Sequence, residues 1–104
     1  MAAAVVVIGQ IRAVRDFRAR NDSANNKAGD LLGRNVSVLT EVAGELGETL
    51  RVTLWERDRT VAAELGEWVQ WVVEIGASER YGLECTFLRV LAPATADRPS
   101  VATA

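Results

Sequence analysis

The chain contains no histidine. That removes the side chain that most readily moves protons near pH 7 and the commonest metal ligand. It has one cysteine, Cys85, so no disulfide forms within the chain. A zinc site would have to combine carboxylates with a single thiolate, which matches no recognised structural pattern. No metal and no cofactor is expected. One thiol and no disulfide fit a reducing compartment, and the expected location is cytoplasmic. No apolar run approaches the roughly 18 residues that a helical membrane span needs. The apolar start, Met1 to Gly9, has no positive n-region and no polar segment before a cleavage site, so a strand is expected there and not a signal peptide.

What remains is ordinary for one folded domain. The chain is 104 residues long, 49% hydrophobic and 25% charged, enough for a single core with little to spare. The net charge is −2 but unevenly spread. Residues 1–40 hold six cations (Arg12, Arg15, Arg18, Arg20, Lys27, Arg34) against three acids, a surplus of +3, whereas residues 41–104 carry −5. An acidic chain with a basic first part can still present a basic face.

The chain reads as a succession of strands. Val5 to Val14 is a β-branched run that continues through Phe17, with Val5, Val7, Gly9 and Ile11 on one face. Gly9 within it predicts a bend or bulge. Asn21 to Asp30 is rich in Asn, Asp and Gly and predicts a hairpin loop. Leu31 to Thr40 is a second strand, with Val36 and Val38 on one face and Asn35, Ser37 and Leu39 on the other. Glu41 to Glu48 predicts a turn. Thr49 to Trp55 alternates clearly: Leu50, Val52 and Leu54 face the core, and Arg51, Thr53 and Trp55 face out. Arg57 to Leu65 predicts a short helix closed by Gly66. Trp68 to Gly76 is a fourth strand, Ala77 to Gly82 a tight connection, and Leu83 to Leu91 a fifth strand. The spacing of Val61, Leu65, Trp68, Val69, Val72 and Ile75 also fits one continuous amphipathic helix, against which Gly66 and the β-branched content argue. From Ala92 the composition turns to Ala, Pro, Ser and Thr, and a loose tail is expected over 93–104.

Three strands, a short helix and two strands is the order of an OB-fold, so the expected class is mainly all-β: a five-stranded Greek-key barrel over residues 1–92. Over about residues 5–91 the chain resembles bacterial single-stranded DNA-binding proteins and their small relative, primosomal replication protein N. The resemblance rests on the opening strand with Gly9, the basic and Phe-bearing stretch Arg15 to Arg20, the central strand Arg51 to Trp55, and the Val61–Leu65 helix before a valine-rich strand. The closing strand Leu83 to Leu91 completes it. It implies non-catalytic binding of single-stranded DNA or RNA in replication, recombination, or plasmid or phage DNA metabolism. It also implies that Trp55 and Arg51 face the nucleic acid. Thr49 stands where the family has a further aromatic, which thins the stacking platform. The ending Ser100 to Ala104 lacks the family's acidic, Phe-terminated tip, so recruitment of repair enzymes is not expected.

The residues themselves support the same site. A surface Trp beside an arginine offers a stacking plane that any base can use. Arg12, Arg15, Arg18, Arg20, Lys27 and Arg34, with Phe17 interleaved, can track phosphates, and Tyr81 at a loop tip can reach a bound strand. Each also has a plainer role: Trp55 under a loop or in an interface, the cations as a solvated surface, Tyr81 closing a turn. Trp71 and Phe87 are expected in the core, with Leu83, Cys85 and Leu91 on the face of Phe87. Trp68 is expected on the surface, in an interface or capping the barrel end. The carboxylates Glu41, Glu45, Glu48, Glu56, Asp58, Glu64 and Glu67 show no catalytic spacing, so no enzyme is expected. Exposed strand edges make a homodimer or homotetramer the expected assembly. A protein-interaction module on the same barrel is the competing function.

Overall fold

A computed structural model describes residues 3–42, 45–78 and 82–98. The alternating β-branched runs form five strands: β1 (Ala3–Arg18), β2 (Leu31–Val42), β3 (Glu45–Trp55), β4 (Trp68–Ser78) and β5 (Gly82–Thr95). They close into a ring in the order β1-β2-β3-β5-β4. β1, β2 and β3 pair antiparallel as a meander, and β4 pairs antiparallel with both β1 and β5. The ring is uneven. Among the described residues, β3 and β5 run parallel and join only through Val52↔Cys85 and Thr53↔Thr86.

Period-2 patterning sets what faces inward. Val7 and Ile11 on β1, Val36 and Val38 on β2, Val52 and Leu54 on β3, Val69, Trp71 and Val73 on β4, and Cys85 and Phe87 on β5 make one buried cluster. Trp71 and Phe87 meet edge to face, with ring centroids 5.2 Å apart. Each large side chain buried this way contributes about 1.5–3 kcal/mol. Cys85 is part of this packing, and burial pushes its thiol pKa up.

The predicted helix over Arg57–Leu65 does not form. A 3-10 turn occupies Glu56–Asp58, and an irregular segment leads on to β4, which also rules out the continuous helix through Ile75. The segment is tied to β2 instead: the carbonyls of Arg59 and Val61 accept from Arg34 Nη2, at 3.4 and 3.0 Å. Val61 N–H bonds three residues back, to Asp58. Gly66 ends no helix. It sits at φ +85° in a turn closed by Glu67 N–H to the Glu64 carbonyl, a position that in a type II turn favours glycine. The turn is pinned to β1 by Gly66 N–H to the Ile11 carbonyl and Ile11 N–H to the Glu67 carbonyl, both 2.9 Å. Ala63 of this segment is buried against the core.

Other expectations shift in detail. The irregularity in β1 falls between Ile11 and Ala13, at Arg12, and not at Gly9. Gly9 instead lets β2 approach: a Cβ there would press on the Leu39 carbonyl and lie 2.6 Å from Val38 Cγ1. β2 and β3 extend into the predicted 41–48 turn, to Val42 and from Glu45. β5 runs past Leu91 to Thr95. Its pairing with β4 slips near Val72 and again near Gln70, so inward parity is lost after Phe87 and Leu91 is exposed. The predicted loose tail is held at its start. Arg98 pairs with Glu41 at 2.6 Å and lies over the Trp68 ring, 5.7 Å from its centroid. This contact, led by the hydrogen bond, holds the Glu41 carboxyl below the ordinary glutamate range. Trp68, the first residue of β4, is buried.

Candidate nucleic-acid interface

The outward residues of β1, β2 and β3 fall into register as rows. Because β1 pairs Phe17 with Gly33 and β2 pairs Gly33 with Trp55, these three residues line up across the sheet. The glycine is what lets the two aromatics meet. A Cβ on Gly33 would lie 3.0 Å from Phe17 Cε1 and Cζ and would also press on the Leu54 carbonyl. Without it, the Phe17 ring lies against the Gly33 backbone and contacts Trp55 edge to face, at 5.7 Å and 78°. This is a favoured aromatic geometry. Phe17 is half-buried, and Trp55 keeps 45% of its surface exposed.

Two residues along, about 7 Å away at strand spacing, the next row is Arg15, Asn35 and Thr53. Thr53 Oγ1 donates to Asn35 Oδ1 at 3.1 Å. A third row holds Ala13, Ser37 and Arg51. Arg15 and Arg51 are exposed and make no ion pair among the described residues. These three rows contain no acidic residue. The result is an aromatic pair at one end of a polar, cationic strip.

The other sequence-predicted residues fall around this strip or away from it. Arg12 is exposed at the β1 irregularity. Arg18 donates to the Gly29 carbonyl at 3.1 Å and lies 3.8 Å from Asp16, so it braces the loop after β1. Arg20 and Lys27 are exposed on that loop. The loop is tied by Asp30 Oδ2 accepting from Lys27 N–H and Asp22 Oδ1 accepting from Ala28 N–H, both 2.8 Å. Arg34 sits on the inner side of β2 with Val36 and Val38, and its guanidinium is occupied by the Arg59 and Val61 carbonyls. It does not join the strip. Tyr81 lies outside the described residues.

Sequence reasoning missed Gly33 and the Asn35–Thr53 pair as parts of the site. The parity of 33, 35 and 37 was available in the sequence, but which β3 residue faces each depends on register. Arg34 carried its own signal, since it alternates with Val36 and Val38 and so points inward.

Among the described residues no group of three or more Cys, Asp or Glu side chains is placed to hold a metal ion. No described helix is long and apolar enough to cross a membrane. Compared with protein-family models, with curated proteins and with solved structures, the chain matches none of them, so its own geometry carries the functional reading.

Proposed function

We propose that this chain is a non-catalytic binder of single-stranded nucleic acid, built as an OB-type Greek-key barrel, with its binding face on β1, β2 and β3. The strand order, the antiparallel meander and the parallel β3–β5 contact support the barrel assignment. OB-folds bind oligonucleotides on the face of their second and third strands, which supports a face that includes β2 and β3 here. The observation that carries the reading is the Phe17–Trp55 pair over Gly33, beside the cations Arg15 and Arg51, which form no ion pair among the described residues. The exposed indole is held edge-on to Phe17, so a base can stack on it with little ordering cost, and the arginines track the backbone. Arg12, Arg20 and Lys27 extend the positive surface around the strip.

Titrating a single-stranded oligonucleotide of about 30 bases while following tryptophan fluorescence tests this. Quenching is expected at low salt. Trp55→Ala should weaken binding by about 5- to 150-fold, the range for one lost base stack. Unchanged binding in that variant would remove the face from the reading.

One observation favours a second reading. Val6 on β1 and Leu88, Val90 and Leu91 on β5 are exposed large hydrophobics, which fits a protein partner or self-association as a homodimer or homotetramer. Absence of quenching even at low salt would turn attention to that surface.

A further inference from the structure

We infer that Trp68 is a second base-stacking residue on the outer face that carries the strip, and that Arg98, from the segment after β5, occupies its ring until a single strand displaces it. The inference rests on the binding reading above.

Trp68 is buried, yet it is not part of the core cluster. Its neighbour Val69 points inward, and β1 pairs Trp68 with Gln10, the neighbour of the inward Ile11. The indole therefore stands on the outer face. Gln10 also pairs with Leu39, and Leu39 with Thr49. This row crosses the same three strands as the strip. It lies just beyond the row of Ala13, Ser37 and Arg51, with the exposed Arg12 between the two. Along β1, Gln10 is about 23 Å from Phe17 at strand spacing. A single strand stacked on Trp55 and lying along β1 would run toward Trp68.

The contact on the indole is one that a nucleic acid can replace. Arg98 Nε donates to Glu41 Oε2 at 2.6 Å, and the guanidinium lies 5.7 Å from the Trp68 ring centroid. Trp68 is on β4 and Glu41 on β2, the two neighbours of β1 in the ring, so Arg98 bridges them over β1. Its side chain is 45% exposed, which leaves it open to a competing chain from solvent. A planar cation over an indole sits where a base would stack. The two contacts are of similar strength: a cation–π pair is worth about 2- to 30-fold in affinity and a base stack about 5- to 150-fold. The displaced guanidinium would meet phosphate in place of Glu41. The uncovered Glu41 carboxylate would repel phosphate, so the closed contact competes with the strand and does not simply yield to it.

The test keeps net charge constant. Glu41→Gln/Arg98→Gln removes one charge of each sign, and with them the ion pair and the cation over the ring. Fluorescence anisotropy at fixed salt, with a 5′-fluorescein oligothymidylate of about 15 positions, gives Kd for the parent chain, this double variant, Trp68→Leu and the triple variant. The double variant should bind about fivefold more tightly, the worth of one ion pair at the upper end of the surface range. Trp68→Leu keeps an apolar side chain that cannot stack. Added to the double variant it should abolish the gain, and it should cost less in the parent chain than in that background. A second readout needs no change at position 68. In Trp55→Phe the remaining tryptophans are Trp68 and the core Trp71, and the oligonucleotide should quench their emission more when Glu41→Gln/Arg98→Gln is added. Unchanged or weaker binding by the double variant, with the parent chain still bound, would overturn the inference and leave the binding reading standing. So would a gain that survives Trp68→Leu, or quenching that the added substitutions do not deepen. No binding by the parent chain would overturn the binding reading and this inference together.

Discussion

At the scale of single residues, the site depends on an absence. Gly33 carries no side chain, and the Phe17 ring occupies the space beside its backbone. Gly33→Ala would place a methyl 3.0 Å from two ring carbons and against the Leu54 carbonyl. Backbone oxygen cannot move aside as a flexible side chain can, so the strand itself must shift. The variant should lose about 1–3 kcal/mol of stability, the usual cost of overpacking, which thermal unfolding measures. It should also separate Phe17 from Trp55 and weaken oligonucleotide binding in the fraction that stays folded. Unchanged stability would mean that Phe17 does not rest on this glycine. Trp71 shows the opposite logic, since its inward parity between Val69 and Val73 places it in the core against Phe87.

At the scale of elements, one arginine decides what joins β3 to β4. Arg34 donates to two carbonyls of the segment after the 3-10 turn, and that segment carries Ala63 into the core. Arg34→Met keeps much of the stem but removes the donors. It should lower stability by about 1–3 kcal/mol, since hydrogen bonds from a charged donor are worth more than neutral ones. It should also open residues 59–63 to proteolysis ahead of the strands. Limited digestion followed by mass spectrometry checks the site of the first cut. A first cut elsewhere would show that the segment is held by its apolar contacts alone. The variant should leave oligonucleotide affinity close to that of the parent chain, because Arg34 faces away from the strip.

At the scale of the whole molecule, the all-β class and the inward faces of β1 to β4 were legible from period-2 patterning, and the loop over Asn21–Asp30 from its Asn, Asp and Gly content. The helix was not. Arg57–Leu65 is held by tertiary contacts, among them a side chain 25 residues earlier in the chain, which no local window contains. The end of β5 was misjudged because its register against β4 slips at three places, the first just past Phe87, and pattern alone does not reveal a slip. The ion pair between Glu41 and Arg98, 57 residues apart, was invisible for the same reason. Within the candidate site, Trp55 and Arg51 followed from alternation on one strand. Arg15 and Phe17 were legible as candidates from the basic, Phe-bearing stretch of β1, but Gly33 and Asn35 joined them only once pairing fixed the rows.

The central claim is that this cationic, aromatic strip binds single-stranded nucleic acid. Its most direct test is oligonucleotide affinity measured across a salt series for the parent chain and for Arg15→Ala/Arg51→Ala. Each phosphate contact on a single strand adds about 0.7 to the slope of log affinity against log salt. The parent chain should show a steep negative slope, and the double variant a slope shallower by about 1.4. Binding that ignores salt, or a double variant with the parent slope, would contradict the claim.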